Sequence, residues 1–425
     1  MQTPQNPSVP TSSDSLPALT ELLEAARALQ PRLVDLRRRI HREPELGLEN
    51  PATREKIVEA LADLDLDISL HRKSTGVVAV LRGARPGQRI LLRGDTDALP
   101  MPEETGLPFR STHPDRMHAC GHDAHTSMLV GAARLLAARR EALAGEVVFM
   151  FQPGEETWGG ARVMLDEGMP SFDAAFALHV APQIPTGRIA TRTGPIMASF
   201  DDFTIAVRGR GGHASMPHDC IDPMPIACEI VMALQSFVTR RIPVTDPGVI
   251  SVTQIQGGTA RNVIPDTVEI SGTIRALCDR TRALLLEGLP RIARGIAETH
   301  EATAAIEILP GYPVVVNDAG FEAFASRVAG ELLGARSVLR MSSPVMGAED
   351  FAYVLESAPG AMMLLGVRSP GVDTPAPCHS SQMQLDEDAM ALGAALHASV
   401  ATRFLDPDHA PSPGASPAAS DPGKE

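Results

Sequence analysis

The sequence predicts an α/β fold: a mixed sheet flanked by helices, into which a second, α+β unit is inserted. Three observations carry this expectation. Short apolar runs alternate with helical patterns through the first half of the chain, the order that builds a sheet covered by helices. From about residue 199 the order becomes strand–helix–strand–strand–helix–strand, and later it reverts. The length, 425 residues, exceeds the roughly 250–300 at which single hydrophobic cores stop growing, so two domains are expected.

Taken in order, leucines at 19, 22, 23, 29, 33 and 36 with Ile40 recur at helical spacing, and Pro31 predicts an interruption there. NPATREKIVEAL predicts a helix with Asn50 as its cap and Pro51 in the first position. Strands follow at GVVAVL (76–81) and RILLR (89–93), then a helix over about 123–140, then strands EVVFMF (146–151) and AAFALH (174–179). The second unit reads as strand DFTIAVRG, a helix over about 222–240, strands GVISVTQIQGG and DTVEISGTIRA, a helix over about 280–299 and strand EATAAIEILP. That order is ferredoxin-like. The predicted division is therefore 16–198 with 312–405 as one discontinuous domain and 199–311 as the insertion. Beyond 312, a helix over 318–334, the strand AMMLLGV and a helix over 386–403 complete the first domain. Residues 1–15 and 406–425 are rich in Pro, Ser and Ala, which predicts disordered tails.

A formal charge of −14, from 38 Lys and Arg against 52 Asp and Glu, is the wrong sign for gathering phosphate backbones, so nucleic acid is excluded as a partner. No apolar run reaches the roughly 18–20 residues of a membrane helix, and the first 19 residues lack a basic, compact hydrophobic leader. A cytoplasmic protein is expected. The five cysteines are scattered and form no C-x-x-C pair, which disfavours a disulfide scaffold or zinc ribbon.

In open α/β sheets ligands bind beyond the carboxyl ends of strands. Those ends carry Asp95-Thr96-Asp97, Gln152-Pro153-Gly154-Glu155-Glu156 and His179, and the segment HACGHDAHT (118–126) leads into a predicted helix. Singly, each has a structural explanation: a turn, a solvated acidic pair, a core histidine, a small buried thiol. Jointly they deliver carboxylates, imidazoles and a thiol to one edge of one sheet. Cys120 and His122 can turn toward one point, and a thiolate with an imidazole suits zinc, manganese, cobalt or nickel better than calcium or magnesium. Of the adjacent pair, Glu155 could stay free to move a proton while Glu156 binds metal. His118, Asp123 and His125 are expected to be hydrogen-bonded supports of the loop.

These residues resemble the two-metal amidohydrolases and peptidases related to aminoacylase and glutamate carboxypeptidase, in particular the branch of hippurate hydrolase and the plant hydrolases of indoleacetyl–amino acid conjugates. The resemblance runs over roughly residues 30–400, through RRRIHREPELG, LRGDTDALP, HACGHDAHT, FQPGEE, FALHV, GRGGHASMPH, GGTARNVIPD, MGAEDFAYV and CHSS. It implies a metallopeptidase-like catalytic domain with an inserted lid or dimerisation domain. It further implies two divalent ions per subunit, manganese or zinc foremost and then cobalt or nickel, held by Cys120, His122, Glu156, His179 and His379. Glu155 is implied as general base and acid, and Asp97 as an acid that orients a metal ligand. His213 is implied to stabilise the oxyanion from the opposite subunit of a homodimer, and Asn262 and Arg275 to hold the substrate. Glu349 and Asp350 recur in the branch without an assigned role.

The expected activity is hydrolysis of N-acyl amino acids such as hippurate-like, N-acetyl or indoleacetyl conjugates. The alternatives are a dipeptidase or an N-carbamoyl or N-succinyl amino-acid hydrolase, whose usual His-x-Asp is replaced here by Asp95-Thr96-Asp97, and a non-catalytic dimeric binding protein, which the intact ligand set and Glu155 disfavour. Gly94, Thr96, Cys378 and Ser381 depart from the branch's usual alanine, methionine, leucine and proline. These changes bear on pocket shape and substrate choice.

Overall fold

Residues whose side chains are buried whichever way they point make the central strands. In the computed structural model, which describes residues 19–156 and 159–410, Ile90 and Leu92 face one hydrophobic core while Leu91 between them faces another. A strand covered on both sides reads as a continuous apolar run, and this is why these segments were legible. The tail segments 1–15 and 411–425 lie outside the described residues. Residues 406–410, also assigned to a tail, instead form a turn in which Asp406 Oδ2 and His409 Nδ1 lie 2.6 Å apart.

The larger sheet has eight strands: β1 (Asp67–Leu70), β2 (Val77–Arg82), β3 (Arg85–Asp95), β4 (Ala144–Gln152), β5 (Ala174–Pro185), β6 (Ile189–Thr191), β15 (Val338–Arg340) and β16 (Gly360–Arg368). Their spatial order is β1-β2-β4-β3-β5-β16-β6-β15. Strands β4, β3, β5 and β16 run parallel, whereas β1, β2 and β6 pair antiparallel, so the sheet is mixed. One face is covered by α1 (Leu19–Arg42), α3 (His122–Ala137), α7 (Ala319–Leu333) and α9 (Ala389–Phe404), and the other by α4 (Gly160–Glu167) and α8 (Ala352–Leu355). Helix α2 (Pro51–Leu61) packs beside α1 and α3.

The second sheet is built from β8 (Asp201–Arg208), β10 (Gly248–Gly257), β12 (Thr267–Ala276) and β13 (Thr303–Pro310), in the order β10-β12-β8-β13. Helices α5 (Pro223–Arg241) and α6 (Asp279–Thr299) cover one face and share a core with Phe203, Ile205, Val207 and Ile270. Burial alternates along β8 and β13, as expected of a sheet with one covered face. Two small ribbons complete the chain: β7 (Gly194–Met197) with β14 (Val315–Asn317), and β9 (Gly212–His213) with β11 (Val263–Ile264).

Two expectations need correction. Helix α1 is continuous through Pro31. The missing N–H and ring clash cost about 3 kcal/mol, but Leu22, Leu33, Leu36 and Ile40 are all buried in the core on both sides of it, and that packing holds the helix together. Asn50 makes no side-chain cap to α2. Its amide donates to Gly47 O at 3.2 Å and its Oδ1 accepts from Thr96 Oγ1 at 2.8 Å, which ties the helix entry to the end of β3 instead.

His397 lies inside α9 against Phe176, with ring centroids 5.3 Å apart. Burial, aided by His125, holds its pKa down to about 3. Between pH 3 and the unfolded value of about 6.5 the unfolded chain therefore binds a proton that the native chain does not. Stability from this group is complete above pH 6.5 and is lost as pH falls, at about 1.4 kcal/mol per pH unit. A His397→Leu variant should show a correspondingly shallower loss when urea unfolding is compared at pH 7 and pH 5.

Candidate metal centre and hydrolytic site

Because β3, β4 and β5 are parallel neighbours, the carboxyl ends of β3 and β4 bring Asp95, Asp97, Glu155 and Glu156 level with His179, which lies midway along the longer β5. The amino end of α3 arrives at the same edge. Gly121, just before α3, has φ +84°, and a Cβ there would lie 2.5 Å from Val180 Cγ2. Glycine lets the backbone turn so that Cys120 and His122 both face inward. Gly94 plays a similar part on β3, where a Cβ would meet His125 O at 3.0 Å.

Cys120 Sγ lies 3.4 Å from His179 Nε2, and these two with His122 form one group whose donor atoms all fall within 4.8 Å of one another. Cys120, Glu156 and His379 form a second such group, with His379 Nε2 3.4 Å from Glu156 Oε1. Cys120 is common to both. His379 adopts a left-handed backbone, φ +65°, unusual for a non-glycine residue, and its N–H donates to Ala119 O at 2.8 Å. This bond sets Cys378 beside Cys120, and contact between the two thiols pushes Cys120 up and Cys378 down to about 6.

Glu155 is buried, with Oε2 4.0 Å from His122 Nε2. Burial and the carboxylates of Glu349, Glu156 and Asp350 hold its pKa well above the usual carboxylate range. Asp97 accepts the peptide N–H of Glu155 on Oδ1 (3.0 Å) and that of Glu156 on Oδ2 (3.1 Å), while Oδ1 also lies 3.4 Å from His122 Nδ1. Burial opposes charging of His122, but Asp95, Asp97 and Glu156 raise its imidazole to about 10.

Behind this cluster lies a network that sequence reasoning passed over. Arg93, fully buried on β3, bonds Asp95 Oδ2 (2.6 Å), Glu349 Oε1 (2.8 Å), Asp350 Oδ1 (3.0 Å) and Gln152 Oε1 (2.8 Å). Glu349 and Asp350 thus supply charges that Arg93 compensates. The signal was present as R-G-D-T-D: charged residues in a strand buried on both faces must be paired. Asp95 in turn holds His125 Nδ1 at 2.6 Å, and His125 Nε2 accepts the Val180 N–H at 2.9 Å. His125 and Asp123, which meets Arg37 and His41, are therefore hydrogen-bonded supports. His118 is not: both ring nitrogens are buried without a partner, and burial holds its pKa down to about 3.

His213 and Asn262 are exposed neighbours on the β9–β11 ribbon, where Ala214 N donates to Asn262 O at 3.0 Å. Arg275 is half-buried, donates to Met346 O at 3.0 Å and lies 5.0 Å from the centre of the Phe200 ring. None of the three joins a donor group found among the described residues.

Fold and site together define a hydrolase-type centre: two donor groups that share Cys120, with the buried carboxylate of Glu155 falling in further groups with His122 and Glu156 and with Glu349 and Asp350. The chain belongs to the peptidase family M20/M25/M40, whose model matches residues 91–403. It is 38% identical over 389 residues to thermostable carboxypeptidase 1 of Saccharolobus solfataricus, covering 90% of this chain and 98% of that one. It is 39% identical over 384 residues to an N-acetylcysteine deacetylase of Bacillus subtilis, covering 90% and 99%. Among solved structures, the YXEP protein of Bacillus subtilis, a dinuclear metal-binding peptidase of the same family, superposes with a TM-score of 0.78 at 36% identity, covering 89% of this chain and 99% of that one.

Proposed function

We propose that this protein is a metal-dependent amidohydrolase that cleaves the amide of N-acyl amino acids, releasing a carboxylic acid and an amino acid. The observation that carries the reading is the buried carboxylate of Glu155 beside two donor groups that share Cys120. The deacetylase and the dinuclear peptidase among the relatives support it.

The residues fit two divalent ions. Both nitrogens of fully buried His122, and Glu156 Oε1, have no hydrogen-bond partner, and a cation at Glu156 Oε1 and at one His122 nitrogen would remove a cost of about 1–3 kcal/mol at each. Cys120, His122 and His179 would hold one ion and Cys120, Glu156 and His379 the other. Thiolate, imidazole and carboxylate together suit manganese, zinc, cobalt or nickel. When bound, such ions lower the pKa of water from 15.7 toward about 7 and polarise a scissile carbonyl.

The chain's own groups do the rest. Glu155 takes the proton of the attacking water and hands it to the departing amine. Its acidic, buried surroundings suit a group that must keep a proton until the amine leaves. Asp97 fixes the peptide groups of both glutamates and faces His122, so it orients the base and two donors together. Replacing Asp97 by Ala should weaken metal retention about 10–100-fold, as removal of ligand-orienting partners does elsewhere. Equilibrium dialysis against graded chelator measures this directly.

His213 and Asn262 sit side by side on an exposed ribbon and join none of the donor groups, which suits delivery to the site of a second subunit, so the working form is a homodimer. Arg275 offers a bidentate partner for the substrate's α-carboxylate. A cytoplasmic setting accords with five free cysteines, and no described helix is long and apolar enough to cross a membrane.

Similarity to a carboxypeptidase favours a second reading, in which the acyl group is itself an aminoacyl unit. Purified protein, stripped with chelator and reloaded with manganese, zinc, cobalt or nickel, should be assayed on N-acetyl, benzoyl and indoleacetyl amino acids alongside dipeptides. Metal-dependent release of amino acid from the acyl series establishes the first reading; turnover confined to dipeptides establishes the second. Silence throughout with two ions bound would sink both.

A further inference from the structure

Asp97 holds the N–H side of Glu155, and Tyr312 holds the other side. The Tyr312 hydroxyl donates to Glu155 O at 2.5 Å and accepts the Gly159 N–H at 3.1 Å, so a single oxygen meets the backbone at the proposed base and again just ahead of α4. Burial and the nearby Asp350 and Glu155 push the phenol far above its ordinary value, which keeps it a proton donor throughout the working range.

Tyr312 is also where the chain returns from the four-stranded unit. Phe200 N, at the outward crossing, donates to Tyr312 O at 3.0 Å. Next to it, Gly311 N donates to Asp201 Oδ1 at 3.1 Å, and Arg282 grips the same carboxylate at 2.7 and 2.8 Å. The Tyr312 ring packs edge-on against Phe200, with centroids 6.4 Å apart, and against Tyr353 at 6.2 Å. Both chain crossings and the loop of the proposed base therefore meet on one side chain.

Rotations between packed units are absorbed at a few element-terminal residues, which these crossings are. Catalytic geometry tolerates little error, since a misplacement of about 1 Å can cost about 10²-fold.

We propose that Tyr312 is a positioning residue that couples the orientation of the four-stranded unit to the placement of Glu155, through its hydroxyl's bond to the Glu155 carbonyl. The proposal rests on the role of Glu155 as base. Phenylalanine would fill the ring site but release the loop.

The test is a double-mutant cycle on the metal-loaded enzyme, with kcat, KM and metal content measured for each variant. Tyr312→Phe is expected to lower kcat about 10–100-fold, with KM changed less than about threefold and two ions retained. Phe200→Leu, which loosens the crossing without touching the loop, is expected to lower kcat in the wild-type background and to add little in Tyr312→Phe. Tyr353→Phe removes a bond to Gly311 O at the same crossing but leaves the Glu155 carbonyl held, and should lower kcat far less than Tyr312→Phe does.

An unchanged kcat in Tyr312→Phe, additive effects of Phe200→Leu, or an equal loss in Tyr353→Phe would each overturn the coupling. Glu155→Gln is measured beside them. If it is inactive while Tyr312→Phe is fully active, the coupling alone fails; if both are active, the base assignment fails and the coupling with it.

Discussion

Replacing Glu155 by Gln should lower kcat by about 10²–10⁴-fold, the usual worth of a positioned acid–base group, with two ions still bound. The substitution keeps the shape of the side chain, and the Asp97 and Tyr312 bonds go to the backbone of residue 155 rather than to its carboxyl. The donors of the metal groups are therefore undisturbed, and the change removes proton transfer alone. Elemental analysis and steady-state kinetics on the same sample decide the matter. Loss of metal in proportion to loss of rate would reassign Glu155 to the donor set, where its distance of 4.0 Å to His122 Nε2 would then matter more than its free charge.

The largest expected effect on stability lies behind the site. Arg93→Met should destabilise the protein by about 3–5 kcal/mol, the cost of leaving buried charges without their partner. Three carboxylates, Asp95, Glu349 and Asp350, share that guanidinium, and all are essentially inaccessible to solvent. Urea unfolding at neutral pH should show a lower midpoint with an unchanged slope. Asp350→Asn in the same chain should recover part of the loss, because it takes out one of the acidic groups left without Arg93, a carboxyl whose pKa burial already holds up to about 8, while keeping a polar group beside Gln152. Strictly additive effects would mean that Arg93 and Asp350 do not act as a unit.

Legibility in the sequence followed the physics of burial. The runs 146–151 and 174–179 lie within β4 and β5 because strands covered on both faces leave an unbroken apolar record. The order of elements in 201–310 was equally plain, since β8, β12 and β13 alternate and each helix carries an apolar stripe. The position of the donors was inferable because strand ends on one edge are neighbours whatever the loops do.

What escaped notice were residues whose importance depends on partners far away in sequence. Arg93 was merely the last residue of the strand RILLR, and only the arrival of Glu349 and Asp350, some 256 residues later, gives it meaning. Tyr312 offered no motif at all. Pro31 misled because a local penalty was weighed without the core that outweighs it. Asn50 has the right residue type for a cap, yet its side chain was claimed by Thr96.

One feature of the larger sheet bears on how the chain is made. Strand β16 lies between β5 and β6, so the middle of the sheet is filled by residues 360–368 next to residues 174–191. On a ribosome adding about 5–20 residues per second, β5 emerges many seconds before its neighbour exists. During that interval the segment 201–310, whose four strands pair among themselves, can complete its own ladder. The half-finished sheet must meanwhile wait with β5 unpaired on one side, an adhesive edge in a crowded cell. A nascent chain stalled near residue 340 is thus a half-built protein with one finished part, and holding it soluble until β16 arrives is work for a chaperone.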